Sequence, residues 1–178
     1  MRVVAGKLRH REIKMTNLDT TRETQDKVRQ AVFNMIGPYF EGGIALDLFA
    51  GSGAMGIEAY SRGFEELHFV DIHPKALEVC RQNCKTLGIQ NARFYNQDYL
   101  KFLEENLVKM DMIFLDPPYS MSNTEEILSQ VYPHLAEDGI VVFEMAKNSL
   151  YCQEFQDLRV WKDKTYGIKR IVIYRFDS

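Results

Sequence analysis

Residues 44–56 read IALDLFAGSGAMG, an apolar run followed by a glycine-containing loop. We predict a strand over residues 44–49, a turn at 51–53 and a helix over 54–62, because Gly63 then ends the helical pattern. Glycine adopts turn conformations that other residues avoid, and it lets a ligand approach the backbone closely. The stretch therefore predicts the first strand and helix of a parallel α/β sheet, with a ligand site at the turn.

The alternation of strand and helix continues as far as residue 144. Strands are predicted at residues 67–71, 92–96, 112–115 and 140–144, and helices at residues 74–87, 99–107 and 124–135. The helix at 74–87 has apolar residues at the helical period, and the run at 140–144 is continuously apolar up to Glu144, as in a strand covered on both faces. The pattern predicts an α/β fold with a doubly wound, mostly parallel, Rossmann-like sheet.

The two ends of the chain differ from this middle. The predicted elements are a hairpin at residues 3–15, an amphipathic helix at 24–36, a turn at 138–139, and a terminal hairpin formed by 159–163 and 168–176. The last of these strands suits an antiparallel partner at the edge of the sheet. We expect a basic N-terminal β-hairpin extension, residues 1–23, and a single globular domain, residues 24–178.

The composition is that of an ordinary soluble globular chain. Of the 178 residues, 46% are hydrophobic and 26% are charged, which suits one domain with a sizeable core. No apolar run approaches the roughly 20 residues of a membrane-spanning helix, and residues 1–7 do not read as a secretion signal. Cys80, Cys84 and Cys152 lack the spacing of a zinc finger, so we expect reduced thiols, no bound metal and a cytoplasmic location.

The net charge of −3 conceals an uneven distribution. Residues 1–14 contain five Lys and Arg against one acid, and residues 158–175 contain six against one. Cationic patches on an otherwise acidic chain suit a polyanion that docks at chosen places, such as a nucleic acid. The same charges would also suit solvated strand edges, and the charge pattern leaves both interpretations open.

The glycine loop is ambiguous by itself. Gly51, Gly53 and Gly56 match the dinucleotide fingerprint, and Asp71 follows about 20 residues later, where an acid accepts hydrogen bonds from ribose hydroxyls. An NAD-dependent enzyme is therefore one interpretation, and a glycine turn without a ligand is another. Asp47 places a negative charge beside the loop, which disfavours a pyrophosphate and favours the ammonium end of a methionine moiety.

The segment Asp116-Pro117-Pro118-Tyr119 follows the fourth parallel strand, so it faces the same crevice as the glycine loop. An exocyclic base amine is a poor nucleophile because its lone pair is delocalised into the ring. Hydrogen-bond acceptors on its N–H groups, here Asp116 and the Pro117 carbonyl, pull the nitrogen toward a reactive geometry. Tyr119 can stack on the base. The segment predicts methylation of a base amino group with S-adenosylmethionine, although a tight turn with a packed tyrosine is also compatible with it.

A cofactor pocket follows from the ends of the successive strands. Its predicted residues are Asp47, Phe49, Ala50, Gly51, Ser52, Gly53, Asp71, Ile72, Asp98, Tyr99 and Asp116. Asp98 can accept a hydrogen bond from the adenine amino group, or it can cap the helix that follows, or both.

These motifs resemble those of class I methyltransferases that act on amino groups. The whole chain resembles the RsmD family, because residues 1–7 are similar to that family's opening hairpin and Thr21–Asn34, TRETQDKVRQAVFN, to its signature. Glu23 stands where the family usually has proline, and Asp71 where it often has glutamate. The resemblance implies a class I fold with a terminal antiparallel strand, and methylation of N2 of one guanine in 16S rRNA within small-subunit (30S) particles.

The basic N-terminus then acquires a hypothesis. The residues expected to hold RNA phosphates are Arg2, Lys7, Arg9, Arg11 and Arg22. Arg22 and Arg29 could instead cap a helix or pair with glutamates. Two other functions stay open: a DNA methyltransferase acting on adenine N6 or cytosine N4, for which the chain has no spare recognition domain, and a non-catalytic, cofactor-binding ribosome assembly factor. We expect a monomer.

Overall fold

The computed structural model describes residues 1–16, 22–121 and 123–177, with the side chains of the first helix described from residue 26 onward. The strands are β1 (Ile44–Asp47), β2 (Glu66–Val70), β3 (Ala92–Tyr95), β4 (Met110–Leu115), β5 (Leu135–Ala146), β6 (Glu154–Phe155), β7 (Leu158–Tyr166) and β8 (Lys169–Phe176). The helices are α1 (Arg22–Ile36), α2 (Ala54–Ser61), α3 (Pro74–Thr86), α4 (Tyr99–Glu105) and α5 (Thr124–Val131), and a short 3-10 helix follows at Tyr132–His134.

The strands form one sheet in the order β3-β2-β1-β4-β5-β8-β7-β6. The first five are parallel, and β8, β7 and β6 are antiparallel to their neighbours. The strand order reverses between β1 and β4, where Leu46 pairs with Ile113. A crevice opens at such a reversal, beyond the carboxyl ends of the two strands, and ligands bind there. The predicted doubly wound, mostly parallel sheet with a terminal antiparallel strand is confirmed.

Helices cover both faces of the sheet, so successive side chains of one strand enter different cores. On β4, Phe114 packs with the cluster under α1, α2 and α3, whereas Ile113 packs with the cluster under α4 and α5. Both side chains are buried. This two-sided burial explains why the central strands read as apolar runs rather than as alternating patterns.

The N-terminal segment packs against the domain. A single antiparallel bridge joins Arg2 to Glu12, and the backbone hydrogen bond from Ile13 N to Met1 O extends this hairpin. Val3 and Ile13 are each 1% exposed and belong to the core cluster. The predicted division into residues 1–23 and 24–178 stays a prediction.

Several elements differ from the expected boundaries, most of all β5, α5 and β6. Asp138–Gly139, predicted as a turn, lies inside β5 as a bulge, because Met110 pairs with Leu135 while Met112 pairs with Ile140. α5 ends at Val131 rather than at 135, where the chain tightens into the 3-10 helix. The two-residue strand β6 was not predicted. Of the described helices, none combines the length and apolar character needed to cross a membrane.

Candidate active site

The turn between β1 and α2 depends on glycine. Gly51 and Gly53 have φ values of +55° and +85°, in the left-handed region that favours glycine. A Cβ atom on Gly53 would lie 2.5 Å from Cys80 Sγ, so a side chain there would strain the backbone and clash with α3. The loop is held against β2 by the hydrogen bond from Ala50 N to Val70 O, 2.9 Å. One side of the turn therefore packs closely against α3 and β2, and the other side faces the crevice.

Asp71 braces this loop from the end of β2. Its Oδ2 accepts from Gly51 N at 2.8 Å, and its Oδ1 accepts from His73 N at 2.8 Å. Asn96 donates through Nδ2 to the carbonyls of Asp71 and Ile72, each at 3.0 Å, and so fixes the backbone there. Each carboxylate oxygen has two acceptor positions, so these contacts leave capacity for ligand hydroxyls.

Asp47 is a buried acid at the carboxyl end of β1. Its side chain is 5% exposed, and its Oδ2 accepts from Gly56 N at 3.2 Å. Burial raises the pKa of Asp47 to about 8, with smaller contributions from the charges of Asp116 and Asp71, although the Gly56 N–H acts in the opposite direction. A cation brought beside Asp47 would restore its ionised form, so this position favours a positively charged ligand group.

Glu144 and Lys169 are site residues that the sequence did not reveal. The Lys169 ammonium lies 3.8 Å from Asp116 Oδ2 and 3.8 Å from Glu144 Oε1. Burial, and then the charge of Asp116, raise the pKa of Glu144 to about 8. The available signal was the acid that ends the apolar run 140–144, since the carboxyl end of that strand meets the crevice.

The main cavity is a space of about 120 Å³ at the carboxyl ends of β1 and β4. Its lining residues are Asp47, Phe49, Ala50, Gly51, Ser52, Asp116, Met1, Val28, Arg29, Ala54, Met55, Phe114, Leu115, Val142, Glu144 and Lys169. The first six were predicted from the sequence as cofactor-binding residues. A second, smaller cavity, which we call the side pocket, adjoins the main cavity. It is lined by Pro117, Pro118, Tyr119, Met121, Thr124, Phe143, Glu144, Met145, Ala146 and Ser149. The predicted glycine loop and the Asp116–Tyr119 motif are thus brought together. Glu144 lines both the main cavity and the side pocket.

Five predicted cofactor residues lie outside the wall of the main cavity. They are Asp71, Ile72, Asp98 and Tyr99, and a fifth, Gly53, packs against Cys80 of α3. Asp98 caps α4 by accepting from Leu100 N at 2.9 Å, which confirms its capping role, and its adenine contact stays a prediction. The Tyr99 ring packs on Phe49 with centroids 5.3 Å apart, which links α4 to the cavity wall.

The N-terminal cations lie on the surface. Arg2, Lys7, Arg9 and Arg11 are exposed, whereas the side chain of Arg22 lies outside the described part of the structure. Lys7 Nζ lies 3.8 Å from the centre of the Tyr60 ring, and the Arg2 and Arg11 side chains donate to backbone carbonyls. These contacts hold the Lys7, Arg2 and Arg11 side chains close to the body of the protein. The RNA-binding role of the N-terminal cations stays a prediction.

A buried charge cluster, formed by Arg29, Glu58 and Arg62, fastens the N-terminal segment. Glu58 is 0% exposed and accepts from Arg29 Nε at 3.1 Å, Arg62 Nε at 2.8 Å, Val4 N at 2.9 Å and Ala5 N at 3.1 Å. Arg29 therefore pairs with acids, which was one of its two predicted roles.

A family model described as "Conserved hypothetical protein 95" matches residues 1–175. The chain belongs to this family. It is 41% identical, over 98% of its own length and 98% of the relative, to "Putative rRNA methyltransferase YlbH" of Bacillus subtilis. It is 30% identical to "Ribosomal RNA small subunit methyltransferase D" of Haemophilus influenzae, over 98% of this chain and 93% of the relative. The resemblance to the RsmD family is thereby confirmed.

Solved structures of the family agree with the fold. The "Putative methyltransferase yhhF from Escherichia coli" superposes with a TM-score of 0.88 at 27% identity, covering 99% of this chain and 98% of that one. A protein of Streptococcus pyogenes, described as a conserved hypothetical protein, gives 0.80 at 35% identity, covering 84% of this chain and 95% of that one. The chain is a methyltransferase of class I fold, which removes the NAD-dependent enzyme as an alternative.

The charge of the main cavity fits S-adenosylmethionine, which carries a sulfonium and an ammonium group. Three carboxyl groups line it, from Asp47, Asp116 and Glu144, against the cations Lys169 and Arg29. Burial raises the pKa of Asp47 to about 8, so an added cation would be favourable beside it. A pyrophosphate would instead add negative charge beside Asp47.

Proposed function

We propose that this methyltransferase transfers a methyl group from S-adenosylmethionine to the exocyclic N2 of one guanine of 16S rRNA, the G966 type. Its substrate is the rRNA in small-subunit (30S) particles, and it acts in the cytoplasm as a monomer. The observation that carries the reaction is geometric: Asp116 lines the same cavity as Asp47 and the glycine loop. The acceptor for the amine and the binding site for the methyl donor therefore adjoin.

The cofactor-binding roles follow from position and charge. Asp47 pairs with the ammonium of the methionine moiety, and the backbone of Phe49–Gly53 follows its length. Asp71, at the end of β2, accepts hydrogen bonds from the ribose hydroxyls. Ile72, Asp98 and Tyr99 border the adenosine. S-adenosylmethionine supplies a methyl group bonded to a positively charged sulfur, and the chain holds it in line with the amine.

The Asp116–Tyr119 motif acts on the base. A carboxylate oxygen of Asp116 and the Pro117 carbonyl accept the two N–H groups of the amine, which frees the nitrogen lone pair for attack. Tyr119 is 55% exposed at the edge of the side pocket, so its ring is available to stack on the target base. Such a contact is worth about 1–3 kcal/mol per base in single-stranded recognition.

The choice of ribosomal RNA rests on the relatives rather than on the cavity. Guanine, adenine and cytosine all present an exocyclic amine, so Asp116 alone does not select among them. The names of the two relatives given above specify rRNA, and one specifies the small subunit. Four of the N-terminal cations assigned to RNA phosphates, Arg2, Lys7, Arg9 and Arg11, are exposed; the fifth, Arg22, is assigned from the sequence alone.

The test compares methyl transfer to 30S particles, to naked 16S rRNA and to plasmid DNA, followed by mapping of the modified base. We expect transfer to N2 of one guanine in the ribosomal substrates and none to DNA. Asp116→Ala should lower turnover by about a thousandfold or more, since it removes an acceptor that strengthens in the transition state. Calorimetry should still show cofactor binding. Transfer to DNA alone, or full turnover by Asp116→Ala, would contradict the proposal.

RNA docking is tested by surface substitutions, because deleting residues 1–14 would also remove the buried Val3 and Ile13. In the triple variant Lys7→Gln, Arg9→Gln, Arg11→Gln we expect weaker RNA binding and a shallower salt dependence, since fewer counterions are released. Cofactor affinity should be unchanged. Equal RNA affinity in the variant and the parent would refute the assignment.

A further inference from the structure

Three ionisable groups meet at the junction of the main cavity and the side pocket. Asp116 follows β4, Glu144 lies near the end of β5, and Lys169 begins β8. The Lys169 ammonium lies 3.8 Å from a carboxylate oxygen of each acid. Glu144 is therefore placed beside the carboxylate that we assign to the target amine.

The sheet fixes this arrangement. In the antiparallel pairing of β5 with β8, Glu144 is opposite Ile171 and Ala146 is opposite Lys169, so the lysine lies two residue pairs further along, on the same face of the sheet as the glutamate. The Glu144 side chain is 10% exposed and that of Lys169 is 21% exposed. Burial, followed by the charge of Asp116, raises the pKa of Glu144 to about 8, and Lys169 opposes this shift. Near neutral pH, Glu144 therefore retains a proton that it can donate.

We propose that Glu144 and Lys169 are positioning residues for methyl transfer: the Glu144 carboxyl group donates a hydrogen bond to Asp116, and Lys169 holds both groups in place. This inference rests on the proposed function, because it takes Asp116 as the acceptor for the amine. One oxygen of Asp116 is then fixed by the protein, and the other is directed at the substrate. Its neighbours then supply Asp116 with a hydrogen and a positive charge.

In the reaction, Glu144 donates a hydrogen bond, and Asp116 accepts the proton that the methylated amine releases. When the amine nitrogen uses its lone pair to form the N–C bond, the electron pair of the broken C–S bond stays with sulfur. The nitrogen then carries one proton too many. Asp116, which already accepts that N–H, takes the proton and later releases it to water. Glu144 keeps its own proton throughout, so replacing it with a permanent donor should preserve the reaction.

The pH dependence follows from the groups that face Glu144. These are Asp116 after β4, Asp47 on β1, Lys169 on β8 and, in the wall of the same cavity, Arg29 on α1. Above a pH of about 8 the Glu144 carboxyl group ionises, ceases to donate and adds a negative charge beside Asp116. Turnover should therefore decrease on the alkaline side of this value.

The kinetic test uses two substitutions of Glu144. Glu144→Met removes the donor, and we expect kcat to fall by about 10- to 100-fold while KM for the cofactor changes little. Glu144→Gln keeps an N–H donor and cannot ionise, so it should rescue most of the lost kcat and remove the alkaline decrease. Glu137→Gln, an exposed change on the same strand, is the matched control and should keep the parent pH profile. If Glu144→Gln were as inactive as Glu144→Met, Glu144 would be acting as a base and the proposal would be wrong.

Lys169 is tested in the same way. Lys169→Met should lower kcat, and Lys169→Arg, which restores the positive charge, should recover part of it. Lys164→Met, an exposed change on β7 of the same hairpin, is the control. Equal kcat values for Lys169→Met and the parent would overturn the role of the lysine.

A measurement without turnover separates this inference from the proposed function. In the protein without cofactor, carbon-13 labelling of glutamate carboxyl groups should reveal one group that titrates near pH 8 and disappears in Glu144→Gln. Asp116→Asn should lower that midpoint, and Lys169→Met should raise it. A midpoint that responds to neither substitution would refute the cluster. Absence of methyl transfer by the parent enzyme would contradict the proposed function, while these titration shifts would still establish the contacts.

Discussion

Two regions of this protein bury carboxyl groups, and they treat them in opposite ways. In the buried charge cluster, Glu58 receives two guanidinium groups and two backbone N–H groups within 3.1 Å. In the main cavity, burial raises the pKa values of Asp47 and Glu144 to about 8. A buried charge that is fully matched holds a structure together. A buried acid that is incompletely matched keeps a proton, as Glu144 does, or is prepared for a cationic partner, as Asp47 is.

The first prediction concerns the matched region and has the largest expected effect. Glu58→Gln leaves the buried Arg62 without its anion and leaves Arg29 with only the part-exposed Asp26, so the free energy of unfolding should fall by roughly 3–5 kcal/mol. Urea unfolding at neutral pH measures this loss. Glu65→Gln, an exposed change close by in the chain, is the control and should have little effect. A loss below about 1 kcal/mol would show that the cluster is not needed for stability.

The second prediction concerns the incompletely matched region. Asp47→Asn should weaken S-adenosylmethionine binding by about 10- to 100-fold, because a charge-assisted contact to the ammonium is lost. Stability at pH 7 should not fall, since asparagine has the shape of the protonated acid that predominates there. Calorimetry measures the affinity for S-adenosylmethionine, and urea unfolding measures the stability. Unchanged affinity, or a loss of stability like that of Glu58→Gln, would remove the distinction between the regions.

The third prediction is a pH dependence. The pKa values of Asp47 and Glu144 rise from the ordinary 3.8 and 4.5 to about 8 on folding, so between those values the folded chain holds protons that the unfolded chain has released. The stability that these groups contribute is complete below the ordinary pKa values and is lost as the pH rises through 8. The slope is at most about 1.4 kcal/mol per pH unit for each group.

Urea unfolding between pH 5 and pH 8 without cofactor measures this slope. The double variant Asp47→Asn, Glu144→Gln should have a flatter profile than the parent, because neither replacement titrates. Identical profiles for parent and variant would mean that the two acids do not carry the dependence.

The smallest effect is expected at an exposed ion pair. Arg159 contacts Glu154 and Asp177, and its side chain is 44% exposed. Arg159→Gln should change the free energy of unfolding by less than about 1 kcal/mol, because water screens the pair. A loss of stability comparable with that of Glu58→Gln would show that burial does not explain the difference between the exposed Arg159 and the buried Arg29 and Arg62.

Much of the fold and half of the site could be predicted from the sequence. Asp47 and Asp116 end apolar strands, and the carboxyl ends of parallel strands meet at one edge, so their meeting follows from position alone. Glu144 and Lys169 are brought together by the register of β5 with β8. Register depends on pairing between distant segments, and no local pattern in the sequence encodes it.

The differences in the fold have one local cause and one that depends on distant segments. Asp138–Gly139 carries a turn signal, and the same left-handed preference serves a bulge, where Asp138 has a φ of +62°. Residues 3–15 were predicted as a hairpin, and the bridge between Arg2 and Glu12 joins its two arms, with Val3 and Ile13 buried against the domain. Their burial against the domain depends on Glu58, more than 40 residues later, which accepts from the N–H groups of Val4 and Ala5.

The packing of Cys80 beneath Gly53 makes this thiol a chemical reporter. Burial raises the pKa of Cys80 and leaves it 0% exposed, so an alkylating reagent reacts only when the turn lifts away from α3. The other two thiols, the buried Cys84 and the half-buried Cys152, are removed by a Cys84→Ala, Cys152→Ser background. The labelling rate then times each opening of the turn, and any ligand that holds the turn down slows the modification in proportion.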